Sequence, residues 1–556
     1  MAKTGISISF GLVDVEAKQD TTAQTSDKQD FIDIQDLTLE GVNAPKVSTL
    51  EKDYWKLDGS FLTFPDDPEN TTWGYWSKSM SKEDGSFETP VVLNLSFGSV
   101  HESIGITFEF NPYDNSFCNS LNIKWYKDDT LLFDKDFEPD NWRYSCMNTV
   151  EGYNKIVITF NSMNKPYRYL KIQNLAHGVY KEFSSDEIKN ANIFEETDLS
   201  ALTLPSNTLN FEVYSENDDF NIFNPKGLYS LLQKKQQLIV SGNNGDTSIN
   251  FGSFYVDEME SKSDKMLSLS AVDGVGLMDN TTFMGGLYSN YPVGDLVEDI
   301  MNSAGFGYTL DSLLAQKAVT GYIPICTSRE ALQNVVFAIG GFVTTSRSGT
   351  VNIKSLPNLQ NNSSVTITKD RKFTGTTVKL RSLVTGVDIN YHEYSLKSTK
   401  EDIVTTNVSI GDNIITFSEP VANVSVNLGT LKESGTNYCI VSSTAAGECK
   451  VSGYKYEDST KTESVRSEIP AGEKESITTV DCTLIETNGV SSMTQRLLNI
   501  SQNRIEQDLS MILESEKSGD LVNIETDYET YRGAVVESLD MDLTGGFVTK
   551  AVVIGE

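Results

Sequence analysis

Along most of the chain, apolar residues come in short alternating runs, broken by dense Gly, Asn, Asp and Ser. "VVLNLSF" (91–97), "IGITFEF" (104–110), "SLNIKWYKD" (120–128) and "KIVITFNSM" (155–163) alternate with period two, the mark of a strand with one buried face. With "YLKIQNLAHG" (169–178) as the last strand and no helical period between, residues 1–178 read as a β-sandwich that closes its own core. A second small β domain follows at 179–268, carried by "LNFEVYS" (209–215) and "INFGSFYVDEMES" (249–261).

The period then changes. Val293, Leu296, Val297, Ile300 and Met301 form one helical stripe between Pro292 and Gly305, a start and a stop. Thr327 and Glu330 form a capping box ahead of the stripe Leu332, Val335, Val336 and Ile339, which ends at Gly340-Gly341. "FVTTSRSGTVNIKSL" then turns two strands at Ser348-Gly349, so 269–380 reads as small α/β domains. From 381 to 556 the β texture returns, with one helix candidate at 491–507 before the closing strands. The predicted class is mainly β with small α/β parts.

Charge narrows the partners. Acidic residues outnumber basic ones 78 to 45, a formal charge of −33, which repels phosphate backbones and argues against sequence-specific nucleic-acid binding. No apolar run reaches the roughly 18–20 residues of a membrane span. "MAKTGISISFGLVDVE" alternates like a strand and lacks a signal peptide's apolar centre, so synthesis in a cytoplasm is expected. The six cysteines have no metal-ligand spacing; a Cys118–Cys146 or Cys439–Cys449 bridge is compatible with the sequence, and free thiols are the default. His101, His177 and His392 stand far apart, and no nucleophile elbow, zinc helix, phosphate loop or dinucleotide fingerprint occurs. Acid-rich stretches such as "KDDTLLFDKDFEPD" (127–140) read as solvated faces. No catalytic residue, metal or cofactor is expected.

From Leu204 on, the chain runs through "LPSNTLNFEVYSEND", "GLYSLLQKKQQLIVSG", "FGSFYVDEMES", "MGGLYSNYPVGDLVEDIMNSAGFGYTLD", "TSREALQNVVFAIGGFVTTSRSGTVNIKSL" and the closing "GDLVNIETDYETYRGAVVESLDMDLTGGFVTKAVVIGE". In that order these phrases resemble the tail hub, or tail-tip, proteins of bacteriophages and related contractile particles. The resemblance implies a homotrimeric baseplate hub in the virion tail, made in the host bacterial cytoplasm. Each chain would carry two similar β-barrels, the first at 179–268 and the second within 381–556. Three chains would then present six units to a sixfold tube around a DNA exit channel. Its implied neighbours are the tail tube or distal tail protein and the tape-measure protein. No peptidase or muramidase pattern is appended.

All five tryptophans lie between residues 55 and 142, three of them in "WKLDGSFLTFPDDPENTTWGYWS" (55–77). "LDGSF" (57–61), "WGYWS" (73–77) and the 103–129 run resemble the discoidin-like or carbohydrate-binding jelly-roll modules that tail proteins carry. That implies host attachment through a surface glycan. Trp73, Tyr75 and Trp76 are candidate stacking rings, with Asp58, Asp66, Asp67 and Glu69 as polar partners. The same rings equally suit the core of a small jelly roll, and for Trp125 the core is favoured.

Two other functions fit parts of the chain: a sugar-binding surface adhesin, and a glycosidase with an appended binding module. Because every tryptophan precedes residue 178, fluorescence follows that module alone. The isolated fragment 1–178 is expected to unfold in one cooperative transition. A soluble fragment without a cooperative melt contradicts the boundary.

Overall fold

The computed structural model describes residues 4–38, 45–56, 59–63, 71–111, 113–216, 220–221, 223, 234–244, 247–358, 365–528 and 530–555. The chain divides into two compact units, Ser9–Glu182 and a second made of Met1–Ile8 with Phe183–Glu556. Strands dominate both, and the fold is mainly β with a few short helices.

In the first unit the long strands Ser86–Glu109 and Arg143–Met163 run antiparallel, with Leu93 opposite Ile158 and Leu95 opposite Ile156. Cys118–Lys127 pairs with the other edge of Arg143–Met163, and Thr130–Phe137 follows it. Period two sends Leu93, Leu95, Leu121, Ile123, Trp125, Ile156 and Ile158 inward, where all are buried. A second, two-stranded sheet of Tyr75–Met80 and Tyr169–Ile172 supplies Tyr75, Leu170 and Ile172 to the same core.

Two local expectations are corrected. The stretch 169–178 is two strands, because Ile172 pairs with Tyr75 whereas Asn174–His177 pairs with Glu109–Ile106 in the other sheet; the chain turns between sheets at Gln173. The unit also holds a short helix, Val15–Asp20, whose N-cap Asp14 accepts from the Ala17 N–H, and a 3-10 turn at Ile34–Thr38.

In the second unit Ile188–Glu196 pairs with Thr208–Tyr214, then Met266–Val272, Thr247–Ser263 and Gln237–Asn244 extend the sheet. A second antiparallel set comprises Ile505–Ile512, Val548–Gly555, Thr530–Asp542 and Leu521–Glu525. The two sets are one surface at a shared seam: Ile188–Glu196 also pairs with Thr530–Asp542, from Asn192 opposite Asp542 to Glu196 opposite Ser538.

An α/β core lies within the same unit. The helix Val293–Ala304 ends at left-handed Gly305, and Ser328–Ile339 carries the Thr327–Glu330 capping box and ends at left-handed Gly340. Both stripes read from the sequence are buried, together with Met493, Leu497 and Leu498 of the helix Ser491–Ser501. That third helix stops short of the expected 507, because Ile505 already belongs to a strand.

One element stands apart from these sheets. Gly386–Val408 and Gly447–Arg466 form a long antiparallel ribbon, from Gly386 opposite Arg466 to Val408 opposite Gly447. At its root Ile477–Cys482 adds in parallel. At its tip Val408, Ile415, Phe417, Val421, Cys439, Val441, Cys449 and Val451 close a small core. All six cysteines are free thiols.

A buried charge chain ties the second unit together. Ser346 Oγ donates to Glu195, and Arg347 Nε donates to the same carboxylate at 3.1 Å. Arg347 Nη2 reaches the Glu516 carbonyl at 3.0 Å, and the Glu516 carboxylate pairs with Arg371. Glu195 and Glu516 are both 0 % exposed. Beside them Asp273, also buried, accepts from the Asn207 N–H and the Gly276 N–H at 2.9 Å and from Thr345 Oγ1. Burial raises its carboxyl pKa against those bonds. Arg347 sits at φ +57°, a left-handed conformation held by this network.

Removing one partner of a buried ion pair strands the other, so Arg347→Ala should cost about 3–5 kcal/mol. Calorimetry of the full chain should show the second unit melting earlier while the tryptophan-reported first unit is unmoved. A cost below about 1 kcal/mol contradicts the role given to this chain of charges.

Candidate functional site

The aromatic segment is positioned by the strand Tyr75–Met80. Alternation sends Tyr75 into the main core and Trp76 to the opposite side, where Ile32, Val47, Trp73 and Trp76 form a second cluster. The Trp73 N–H donates to Asp36 Oδ2 at 2.7 Å. The Trp73 and Trp76 rings meet edge to face at 5.6 Å, with Phe31 against both at 4.9 and 5.8 Å. Trp73, Tyr75 and Trp76 are 4, 0 and 6 % exposed. Of the two placements the sequence left open, the structure puts all three rings in the core: both faces are covered at Tyr75 and Trp76, and Trp73 packs beside Trp76. Trp125 is buried as well. Asp58, Asp66, Asp67 and Glu69 lie outside the described residues, so the structure places only the aromatic half of the expected constellation.

Sequence reasoning missed the cation in this cluster. Lys171 is the cross-strand partner of Trp76; its neighbours Leu170 and Ile172 take the main core, so Lys171 must point the other way. Its ammonium pairs with the buried Glu51 carboxylate and lies 3.7 Å from the Tyr54 ring centre and 4.4 Å from that of Trp76. Burial pulls the Lys171 pKa down against the pull of Glu51. Arg168, also buried, donates to Asp114 Oδ2 at 2.8 Å and to the Lys52 carbonyl at 2.6 Å. Glu51 and Asp114 lie 120 and 54 residues from their partners, and no local pattern announces such pairs. Tyr54, Trp73, Trp76, Asn111 and Lys171 line a half-open pocket of about 20 Å³. That is room for one water and not for a sugar ring.

A larger cleft of about 470 Å³ lies in the second unit against Glu196, Leu204, Asp279, Arg329 and Gln333. Its cation is engaged: Arg329 Nε donates to the Leu204 carbonyl at 2.8 Å and Nη1 to Asp279 at 2.6 Å. Gln333 holds the Leu202 carbonyl at 2.7 Å. Burial raises the Glu196 carboxyl, helped by Glu537 and Asp198. The cleft's polar groups pin the 198–205 loop.

His101 and His177 pack against the same ring, Phe97, at 5.3 and 5.2 Å, and His392 lies in the second unit. His101 Nε2 meets Asp20 at 2.9 Å, and His392 lies 2.8 Å from Asp458 and 3.4 Å from Asp481. His177 Nε2 is 2.8 Å from Thr21 Oγ1, whose own proton goes to the Ala17 carbonyl at 2.6 Å. Nε2 therefore carries the hydrogen, and Nδ1 is left buried with no partner. The Thr21 hydroxyl, facing a protonated nitrogen, has no base to activate it. Burial pushes the His177 pKa down to about 3.

No family model matches the chain, and no curated protein matches it. Among solved structures it is similar to the tail protein from Neisseria meningitidis MC58: 9 % identity, 68 % of this chain and 94 % of that chain, TM-score 0.42. Prophage tail protein gp18 from Listeria monocytogenes EGD-e aligns at 10 % identity over 68 % of this chain and 91 % of that chain, TM-score 0.39. A family 32 carbohydrate-binding module of C. perfringens NanJ, solved with galactose, aligns at 13 % identity over 31 % of this chain and 99 % of that chain, TM-score 0.20.

Two outcomes follow for the first unit. Trp73→Ala and Trp76→Ala should each lower its stability by about 3–5 kcal/mol, the scale for deleting a buried large ring. An unchanged denaturant midpoint contradicts their placement. For His177 the folded pKa lies below the unfolded value near 6.5, so the unfolded state takes up the proton first. The stability it contributes is fully present above about pH 6.5 and is lost as pH falls toward 3. Between pH 7 and 4.5 the loss should be roughly 2–3 kcal/mol. His177→Gln should remove that part of the slope in urea melts read by tryptophan fluorescence; an identical slope in the variant contradicts it.

Proposed function

We propose that the chain is a structural virion protein: a homotrimeric baseplate or tail-tip hub joining the tail tube to the tip and lining part of the DNA exit channel. The observation that carries this reading is the seam between Ile188–Glu196 and Thr530–Asp542. It joins two antiparallel strand sets, separated by more than 230 residues of chain, edge to edge within one unit. Two β modules per chain, repeated three times, give six places for a sixfold tube to dock, as the order of phrases after Leu204 implies. In this reading 179–268 and the 381–556 region supply the two modules, and 269–380 the α/β part between them. The surplus of carboxylates suits a passage that nucleic acid crosses without adhering. The tail tube or distal tail protein and the tape-measure protein are the neighbours it would meet.

The first unit, in this reading, is an attachment module taking a host-surface glycan. With Trp73, Tyr75 and Trp76 committed to the core, their part is to anchor the loop, and Asp58, Asp66, Asp67 and Glu69 make the polar contacts. Replacing Asp66, Asp67 and Glu69 together by Ala should lower particle adsorption at least tenfold while the tryptophan-reported melt stays in place. Full adsorption by the variant contradicts the glycan contact.

For the hub itself, light scattering of the purified full chain at micromolar concentration should give the mass of three chains. A monomer there, with no threefold density at the tip of the particle, would falsify the hub reading.

A further inference from the structure

The ribbon formed by Gly386–Val408 and Gly447–Arg466 has a middle that its own chain does not cover. Its root is backed by Ile477–Cys482, which pairs with Gly386–Tyr391, and its outer part by Val421–Val426, which pairs with Val451–Lys455. Between them, among the described residues, no third strand pairs with 393–399 or 457–461. At about 3.3 Å per residue this bare span is roughly 17–23 Å long. An isolated two-stranded ribbon is marginal in water, and both of its edges present unpaired backbone groups.

The two faces differ. Leu396 lies opposite Tyr456 and Tyr394 opposite Asp458, so Tyr394, Leu396 and Tyr456 share one face. Leu396 is 49 % exposed there, and the Tyr394 ring lies 5.5 Å from Tyr322 at the root. Asp458, opposite Tyr394, lies on this face too and is paired with His392 at 2.8 Å, so the apolar part is Leu396 with Tyr456, beyond that ion pair. The other face is polar, with Glu393 and Lys461 paired at 2.7 Å.

Charge selects the occupant. The chain as a whole carries −33, so copies of it repel over most of their surface. Within 393–402 and 450–461, five carboxylates are matched by five lysines. This is a place where two copies approach without net repulsion, and where a strongly acidic or strongly basic partner gains nothing. Resting on the trimeric reading above, we infer that the ribbon is an intersubunit arm: its Tyr394–Leu396–Tyr456 face lies on a second copy of this chain and holds the trimer together.

The test uses the full chain in three forms: wild type, Leu396→Glu with Tyr456→Glu, and a chain with a photo-crosslinking phenylalanine analogue at position 396. The two replaced side chains reach solvent, so the calorimetric transition should be retained. Light scattering over a dilution series should show the wild-type trimer and a variant that dissociates at a concentration at least tenfold higher. Irradiation should join chain to chain. If the wild type is trimeric while the variant dissociates at the same concentration and no chain-to-chain product forms, the arm is overturned and the trimer stands. Cross-linking in assembled particles to a different virion protein instead of a second copy overturns it equally. A monomeric wild type removes the trimeric reading and the arm together.

Discussion

Glu195 and Glu516 are carboxylates with no access to water, and the second unit is organised around what satisfies them. Glu195 sits on the strand that forms the seam, Glu516 in the loop before Leu521–Glu525, and Arg347 after the α/β strand Gly341–Thr344. One guanidinium thus links the first strand set, the α/β core and the last strand set. The Coulomb attraction of such a chain is largely offset by desolvation, so its net stabilisation is small. Its effect is on specificity: any packing that displaces Arg347 leaves a buried carboxylate uncompensated, which costs several kcal/mol. Two β modules far apart in sequence are thereby held in one relation.

The sequence was legible where structure is local. The Thr327–Glu330 capping box and the Gly305 and Gly340 stops are interactions within a few residues, and each stands where the pattern put it. Alternation found the strands but not their partners. The β texture read from 381 onward includes 383–396 and 449–458; that these stretches pair with each other, Leu396 opposite Tyr456, to make an arm is a choice of tertiary register, which period two does not encode. The buried ion pairs escaped for the same reason. Arg347 lies 152 residues from Glu195 and Lys171 lies 120 from Glu51, and in so acidic a chain no single carboxylate stands out.

The aromatic segment shows a different limit. Period two assigns one face of a strand to the core and the other to solvent, which left Trp73, Tyr75 and Trp76 open to either use. At Tyr75 and Trp76 the strand is buried on both sides, by the sheet on one and by Ile32, Val47 and Phe31 on the other, and it reaches water only from Lys78 on. With both faces dry at Tyr75 and Trp76, the cation opposite Trp76, Lys171, is enclosed by Tyr54 and Trp76 and neutralised by Glu51. Three of the five tryptophans, Trp73, Trp76 and Trp125, fill the two cores of the sandwich, while Trp142 packs at the edge of one and Trp55 is exposed.

The central claim is that two β modules in each chain act as equivalent docking places, so that three chains present six. Single-particle images of the purified full chain, averaged along the symmetry axis, test it directly. The account predicts a ring with six similar lobes and true threefold symmetry. Class averages showing one or two lobes per particle, or a ring whose lobes number three, contradict it.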